Sequence, residues 1–111
     1  FKIPATIEHG DFHDNNILIN NSSYFIHDWG DATISHPFFS LASWLQSATR
    51  NHALQPNDHT YLDLKQTYLY CWRDYCALDE LTEAYLLAYQ IRLFQFSLSF
   101  IRIRLCRGIE D

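Results

Sequence analysis

Two short apolar runs separated by a polar tetrapeptide stand near the start of the chain. They are residues 17–19 (Ile-Leu-Ile) and 24–26 (Tyr-Phe-Ile), with Asn20-Asn21-Ser22-Ser23 between them. Branched and aromatic side chains favour strands, whereas Asn and Ser favour turns, so this pattern predicts a β-hairpin. A hairpin centred on Ser22 would bring Asn16 and Asp28 face to face, since each lies six residues from that centre.

Apolar positions spaced three and four residues apart predict three helices after the hairpin. The first runs from about Phe38 to Arg50, after a loop at residues 28–36. The second begins near Pro56-Asn57-Asp58 and continues to about Cys76. The third, with Asp79 as its N-cap, carries two adjacent apolar stripes from Leu81 to Leu105, which predicts burial over much of its circumference. The fold class is therefore α+β and mostly helical.

Composition and charge narrow the range of functions. The chain has 111 residues, 48% of them hydrophobic, which allows one domain with a real core. Its net charge is −5 and it has no basic run, which argues against a nucleic-acid partner. The apolar stretch at 84–106 is interrupted by arginines, so we expect no membrane span. Three cysteines, an odd number, are interpreted as reduced core thiols of a cytoplasmic protein, with a disulfide as the alternative.

Candidate chemistry is concentrated in two segments around the predicted hairpin. Residues 9–16 read His-Gly-Asp-Phe-His-Asp-Asn-Asn, and residues 26–31 read Ile-His-Asp-Trp-Gly-Asp. They supply Asp11, Asn16 five residues later, and Asp28 twelve residues after that. Phosphoryl transfer uses a carboxylate that takes the proton of the attacking hydroxyl, and an amide oxygen and a second carboxylate that hold Mg²⁺. Oxygen ligands without thiolates suit such a hard cation.

These segments resemble the aminoglycoside phosphotransferase and choline kinase-like family. The family pattern H-G-D-x-H-x-x-N is complete from His9 to Asn16. The metal-site pattern I-D-W appears with one extra residue, as Ile-His-Asp-Trp at 26–29. The resemblance implies a protein kinase-like C-terminal lobe in which Asp11 is the base and Asn16 and Asp28 bind Mg²⁺ with ATP or GTP. It implies transfer to a hydroxyl of a small molecule of the aminoglycoside, choline, sugar or amino alcohol class.

Other residues near the motif have supporting interpretations. The resemblance makes His9 a structural support beneath the metal-site loop, and His13 belongs to the same motif. The two histidines are four residues apart, so a zinc site is the alternative. Asp31 either supports the metal through water or caps a turn. Ser40 stands where the family usually has an aspartate that braces the catalytic loop, which puts the rigidity of that loop in doubt.

Several features predict that the chain is a piece of a longer protein. It has no methionine, begins with Phe1 and has no Gly-rich loop for a nucleotide, so the resemblance covers only the C-terminal lobe over residues 1–111. We expect the lobe alone to be inactive and to self-associate through surface that a missing lobe would cover. A non-catalytic binding or scaffold module that kept this lobe is the rival hypothesis. An aromatic stripe on the second predicted helix is read as core, or alternatively as a stacking wall for an organic cation or sugar; it comprises Tyr61, Tyr68, Trp72 and Tyr75.

Overall fold

The structure, a computed structural model, describes residues 2–107. These residues form two small antiparallel sheets and three α-helices, which confirms the α+β, mostly helical class. In chain order the elements are β1 (Thr6–Glu8), a 3₁₀ turn (Asp14–Asn16), β2 (Ile17–Asn20), β3 (Ser23–Ile26), β4 (Thr33–Ser35), α1 (Phe38–His52), α2 (His59–Tyr70) and α3 (Leu78–Arg107).

The predicted hairpin is present, but its register differs from the prediction. β2 and β3 pair so that Ile17 faces Ile26 and Asn20 faces Ser23. The turn therefore has two residues, Asn21 and Ser22, and Asn21 takes the left-handed conformation that Asn tolerates, with φ of 53°. Asn16 consequently faces His27, whose N–H donates to the Asn16 carbonyl at 2.9 Å, and not Asp28. The face-to-face placement of Asn16 and Asp28 was wrong by one residue.

The structure has a second sheet that the sequence did not predict. In the chain, one of its strands precedes the predicted catalytic segment, residues 9–16, and the other follows the hairpin. β1 pairs with β4 so that Glu8 faces Thr33 and Thr6 faces Ser35. Part of the predicted loop at 28–36 is thus a strand. This pairing fixes the start of the catalytic segment beside the chain that leaves the hairpin.

Helix α1 matches its prediction closely and extends two residues further. The ring Nδ1 of His36 accepts the Phe38 N–H at 3.1 Å, so it satisfies one of the donors that a helix start leaves free. Burial lowers the pKa of His36, because the charged ring is penalised there. The helix ends at His52, and the next residue, Ala53, has a left-handed φ of 55°. The Leu54 N–H donates to the Ala48 carbonyl.

The boundaries of the other two helices differ from the predictions. Helix α2 ends at Tyr70, and turns occupy the residues up to Cys76. Helix α3 begins at Leu78, so Asp79 lies in its first turn and is not its N-cap. The side chain of Glu80 instead accepts the Ala77 N–H at 3.2 Å, which is half of a capping box.

The core lies where α1 packs against α2 and the first turns of α3. Its fully buried large side chains are Phe38, Leu41, Leu45, Leu69 and Leu81. The hydroxyl of Tyr68 donates to the Pro37 carbonyl at 2.8 Å, and burial raises the pKa of Tyr68 to about 12. Of the predicted aromatic stripe, Tyr61 is buried, whereas Tyr75 is exposed.

The predicted burial of α3 was wrong for most of its length. Its buried residues, Leu81, Ala84, Tyr85 and Ala88, all lie in the first three turns. Thirty residues extend for about 45 Å, which is longer than the core they pack on. Apolar side chains of the distal half, including Phe94, Leu98 and Ile101, are exposed.

Several further side chains are more exposed than the sequence indicated. All three cysteines are free, but Cys71 and Cys106 are exposed and are not core thiols. The hairpin also presents apolar side chains to solvent, among them Ile19, Tyr24 and Phe25. The expected self-association, which would use this surface, stays a prediction. Within residues 2–107, no helix combines the length and the apolar composition that crossing a bilayer requires.

Candidate active site

Residues 9–16, the predicted catalytic loop, connect β1 to the hairpin and pack against the turn that follows β3. Gly10 has a φ of 87°, and a Cβ there would come within 2.4 Å of the Asp31 carbonyl oxygen. Only glycine fits both this backbone conformation and this close approach. Asp31 itself lies in a turn in which the Ala32 N–H donates to the Trp29 carbonyl. The backbone of Asp31, and not its carboxylate, therefore contacts the loop.

His9 ties the two halves of the site together with both ring nitrogens. Its Nε2 lies 2.8 Å from the His27 carbonyl oxygen and its Nδ1 accepts the Asp11 N–H at 3.1 Å. A carbonyl oxygen can only accept, so the ring proton is on Nε2. The side chain is 3% exposed and its ring lies 4.6 Å from that of Trp29. His9 thus holds the backbone of Asp11 in a fixed relation to the residue that precedes Asp28.

Asp11 presents its carboxylate to solvent from a constrained position. The side chain is 49% exposed, with His13 Nε2 at 3.3 Å from one oxygen and Asn16 Nδ2 at 3.4 Å from the other. The same Asn16 nitrogen donates to the Asp11 carbonyl at 2.8 Å. The other ring nitrogen of His13 is buried and has no hydrogen-bond partner within the described residues. Backbone and side-chain contacts thereby fix the direction in which Asp11 points.

The contacts of Asn16 leave its amide oxygen open. Asn16 is 5% exposed, and its amide nitrogen makes the hydrogen bonds to Asp11. Its Oδ1 accepts no hydrogen bond from residues 2–107. An oxygen that is oriented by its own amide nitrogen and has no donor is suited to bind a cation.

Hydrogen bonds made by the residues on either side of Asp28 hold it in position. The His27 carbonyl accepts from His9, and the indole Nε1 of Trp29 donates to the Ile26 carbonyl at 2.8 Å. Asp28 itself has a φ of 62°, a conformation in which Asp is several-fold enriched over most residues. Its carboxylate makes no hydrogen bond within the described residues. Asn16 and Asp28 lie at the same end of the hairpin, one residue out of direct opposition.

Asp14 connects the catalytic loop to the end of α1. One carboxylate oxygen lies 2.7 Å from His52 Nε2, and the other accepts from Asn51 at 3.4 Å and from Ser47 at 3.5 Å. The hydrogen bond from His52 lowers the pKa of Asp14. These bonds fasten the 3₁₀ turn that carries Asn16 to the helix beneath it.

The sequence interpretation missed Glu8, a buried carboxylate directly before the motif. Glu8 is 3% exposed, and its Oε1 accepts both the Gly10 N–H and the Ser40 hydroxyl at 3.1 Å. Glu8 therefore connects Ser40 of α1 to the backbone of Gly10 in the loop. The signal in the sequence was an acid directly before the motif, but its burial could not be read there.

Arg92 of α3 is a second functional residue that the sequence interpretation missed. It donates to the Gly10 carbonyl at 2.8 Å, to the Ser43 hydroxyl at 2.9 Å and to Gln95 at 3.3 Å. It thereby joins α3, α1 and the catalytic loop. A lone arginine among apolar positions marks it in the sequence, but nothing there indicates its partners.

Two cavities meet at Phe12, whose ring lies 4.8 Å from that of Trp44. The apolar cavity, of about 470 Å³, lies between α1 and α2 and is lined by residues such as Leu41, Trp44 and Tyr68. The polar cavity, of about 260 Å³, is lined by Asp11, Arg92 and polar side chains of α1. Asp11 therefore borders the polar cavity.

The oxygen ligands of the site suit Mg²⁺ bound together with substrate phosphates, and not a metal held by protein side chains alone. Within residues 2–107 no group of three or more His, Cys, Asp or Glu side chains is arranged to hold a metal. Mg²⁺ needs no such group, because it keeps several waters and is bound through one or two carboxylates plus substrate phosphates. The free amide oxygen of Asn16 and the unpaired carboxylate of Asp28 satisfy that requirement.

Comparison with known proteins identifies the family. A family model described as the phosphotransferase enzyme family matches residues 2–81. The chain belongs to the phosphotransferase enzyme family. The comparisons with curated proteins and with solved structures gave no match.

The phosphotransferase match covers every residue that the motif singled out, from His9 to Asp31, together with α1 and α2. Membership supports kinase-like phosphoryl transfer as the general chemistry. Arg92 lies beyond the matched residues, in the part of α3 that follows residue 81.

Proposed function

We propose that this chain is the catalytic lobe of an ATP- or GTP-dependent phosphotransferase that acts on a hydroxyl group of a small molecule. The observation that carries the proposal is the arrangement of Asn16. Its amide nitrogen orients Asp11 while its amide oxygen stays free at the end of the hairpin that carries Asp28. One residue thus links the base to the metal site.

In the proposed reaction, the acceptor hydroxyl donates a hydrogen bond to the exposed carboxylate of Asp11. Its oxygen forms a bond to the γ-phosphorus as the bond from that phosphorus to the bridging oxygen of the nucleotide breaks. Asp11 takes the proton, and the nucleoside diphosphate leaves. The protein contributes mostly position, because such transition states need little covalent assistance.

Asn16 and Asp28 would hold Mg²⁺ in this reaction, and the ion would neutralise charge on the phosphates. His9 contributes indirectly, because it fixes the backbones of Asp11 and His27 relative to each other. Gly10 and the Asp31 carbonyl allow the loop and the turn to approach closely. These are positioning residues and do not touch the reacting atoms.

The proposal includes the expectation that these residues alone do not complete a nucleotide site. The adenine and α/β-phosphate contacts would come from a separate N-terminal lobe. We expect this chain by itself to bind Mg-ATP with a dissociation constant on the order of millimolar. Its proposed location is the cytoplasm, where nucleoside triphosphates are available.

Paramagnetic Mn²⁺, a substitute for Mg²⁺, tests the metal site directly. In ¹⁵N-labelled protein we expect Mn²⁺ to broaden the Asn16 side-chain amide and the backbone amides of Asp28 and Trp29 first. Asp28→Asn should weaken this effect. Asp74→Asn, which removes the same charge at an exposed position on another part of the surface, should not. Broadening centred elsewhere, or equal losses in both variants, would contradict the proposed site.

Titration calorimetry with Mg-ATP tests whether the adenine and α/β-phosphate contacts lie outside these residues. Weak binding supports the proposal. Micromolar affinity of the 111-residue chain would show that these residues already contain the nucleotide site.

A further inference from the structure

The polar cavity beside Asp11 is lined by more positive than negative side chains, which is unexpected in a protein of net charge −5. Its charged lining consists of one carboxylate, Asp11, and two guanidinium groups, Arg50 and Arg92. Neither Asn16 nor Asp28 lines it. The cavity thus borders the proposed base without including the proposed metal ligands, so an acceptor bound in it would have its hydroxyl beside Asp11.

Arg92 retains positive charge and donors despite its structural contacts. Its three hydrogen bonds go to a carbonyl, a hydroxyl and an amide oxygen, all of which are neutral acceptors. Within residues 2–107 no carboxylate lies within ion-pair distance of it. A guanidinium has five N–H donors, so two remain for a ligand.

Arg50 is less constrained than Arg92. It lies near the end of α1, is exposed, and makes no hydrogen bond or ion pair with residues 2–107. Asp14 does not line the polar cavity. Its carboxylate is bonded to His52, Asn51 and Ser47 and lines a different cavity. Two arginines against one carboxylate, Asp11, leave the lining of the polar cavity with a net positive charge.

We propose that the polar cavity binds an acceptor that carries an anionic group, a carboxylate or a phosphate, next to the hydroxyl that is phosphorylated. This inference rests on the proposed function and specifies its substrate class. Arg50 and Arg92 bind the anion, while Ser43 and Gln46 supply neutral hydrogen bonds and Asp11 receives the hydroxyl. We expect polycationic or quaternary ammonium acceptors to bind more weakly, because the same arginines repel them.

The size of the cavity points to a small acceptor. Drug-sized ligands occupy sites of about 300–1,000 Å³. At about 260 Å³, the polar cavity is below that range. A short hydroxy acid or its phosphate ester fits this space, whereas a molecule of several sugar rings does not.

A charge series on one carbon skeleton tests the proposal. The probes are glycerate, glycerol and 3-amino-1,2-propanediol, which carry a carboxylate, a hydroxyl and an ammonium at the same place, with glycerol 3-phosphate as a second anion. Binding is followed by NMR on the full 111-residue chain through the arginine Nε–H and Asn51 side-chain signals. We expect both anions to bind roughly tenfold more tightly than the ammonium compound, and glycerol to be intermediate. The stronger of the two anions identifies carboxylate or phosphate as the preferred group.

Two variants distinguish binding of the anion in the polar cavity from attraction to positive charge anywhere on the protein. Arg50→Gln should lower the affinity for the anions by roughly threefold to fivefold and leave glycerol unchanged. Arg104→Gln removes the same charge from the exposed half of α3 and should leave both unchanged. Equal losses in the two variants, or stronger binding of the ammonium compound, would overturn the proposal. The absence of a saturable shift with either anion would also overturn it.

A competition experiment distinguishes an acceptor from a nucleotide phosphate in the same cavity. Simultaneous binding of Mg-ATP and the anion supports the acceptor assignment. Displacement of the anion by Mg-ATP would assign the arginines to the nucleotide and overturn it. The Mn²⁺ measurement reports on Asn16 and Asp28 alone, so the acceptor assignment can fail while the proposed phosphotransferase site stands.

Discussion

The hydroxyl of Ser40 donates to Glu8 Oε1 at 3.1 Å, which joins the first turn of α1 to the strand that precedes the catalytic loop. The same carboxylate oxygen accepts the Gly10 N–H. Sequence resemblance predicted an aspartate at position 40. Here position 40 is Ser40, and the carboxylate beside it is that of Glu8.

This pair predicts that two substitutions at position 40 both lower the free energy of unfolding, but by different amounts. Ser40→Ala removes one donor from a buried carboxylate and should cost about 1–3 kcal/mol of unfolding free energy. Ser40→Asp, although it restores the family residue, should cost more, because it places a second carboxylate against Glu8. Urea denaturation measures both. Ser99→Ala, in an exposed part of α3, is the control, and a stabilising Ser40→Asp would contradict this account.

The Arg92 contact predicts that lysine cannot replace arginine. Arg92→Lys keeps the charge but cannot reach the carbonyl of Gly10, the hydroxyl of Ser43 and the amide of Gln95 from one planar group. We expect a loss of about 2 kcal/mol and faster hydrogen exchange at the amides of residues 10–16. Arg104→Lys should change neither. Unchanged exchange in the loop would show that Arg92 is dispensable for its position.

The local elements of this fold were predictable, because each has a clear sequence signal. The apolar runs around Asn21-Ser22 gave the hairpin, and the apolar spacing after His36 gave α1 almost to the residue. The register was missed because a centre on Ser22 and a two-residue turn at Asn21 and Ser22 differ by one position. No turn residue distinguishes the two.

Contacts between residues that are far apart in the chain could not be predicted from the pattern of apolar and polar positions. β1 and β4 have three residues each, which is too short for their alternation of polar and apolar residues to identify either strand without its partner. The stripes of α3 correctly indicated a helix, but periodicity does not say whether a neighbour covers each stripe. Of the candidate site, the motif gave Asp11, Asn16 and Asp28. The links made by Glu8 and Arg92 span 32 and 82 residues and leave no periodic trace.

The cap at the start of α1 predicts a pH dependence of stability. His36 accepts the Phe38 N–H, and burial lowers its pKa from the ordinary value of 6.5. Between these two pKa values the unfolded chain binds the extra proton, so stability rises with pH there and is lost as pH falls below 6.5. His36→Asn keeps an acceptor without a titrating ring and should reduce this slope. Denaturant midpoints at about pH 5.5 and pH 7.5 measure the effect, and parallel profiles for both proteins would rule out His36 as its source.

Substitutions of two aspartates three residues apart, Asp11 and Asp14, should distinguish a role in catalysis from a role in attaching the loop to α1. In the active parent phosphotransferase, Asp11→Asn should lower turnover by ~10²–10⁴-fold, because the amide cannot take the proton, while its half-exposed site leaves the fold intact. Asp14→Asn removes the acceptor of His52 and should lower stability, with a much smaller effect on turnover. Because the pKa of Asp14 is lowered in the folded state, its contribution is present above pH 3.8 and is lost as pH falls through the folded-state value. Turnover and denaturation measured on the same preparations decide between the two roles. Near-full turnover of Asp11→Asn at unchanged acceptor affinity would remove Asp11 from the mechanism.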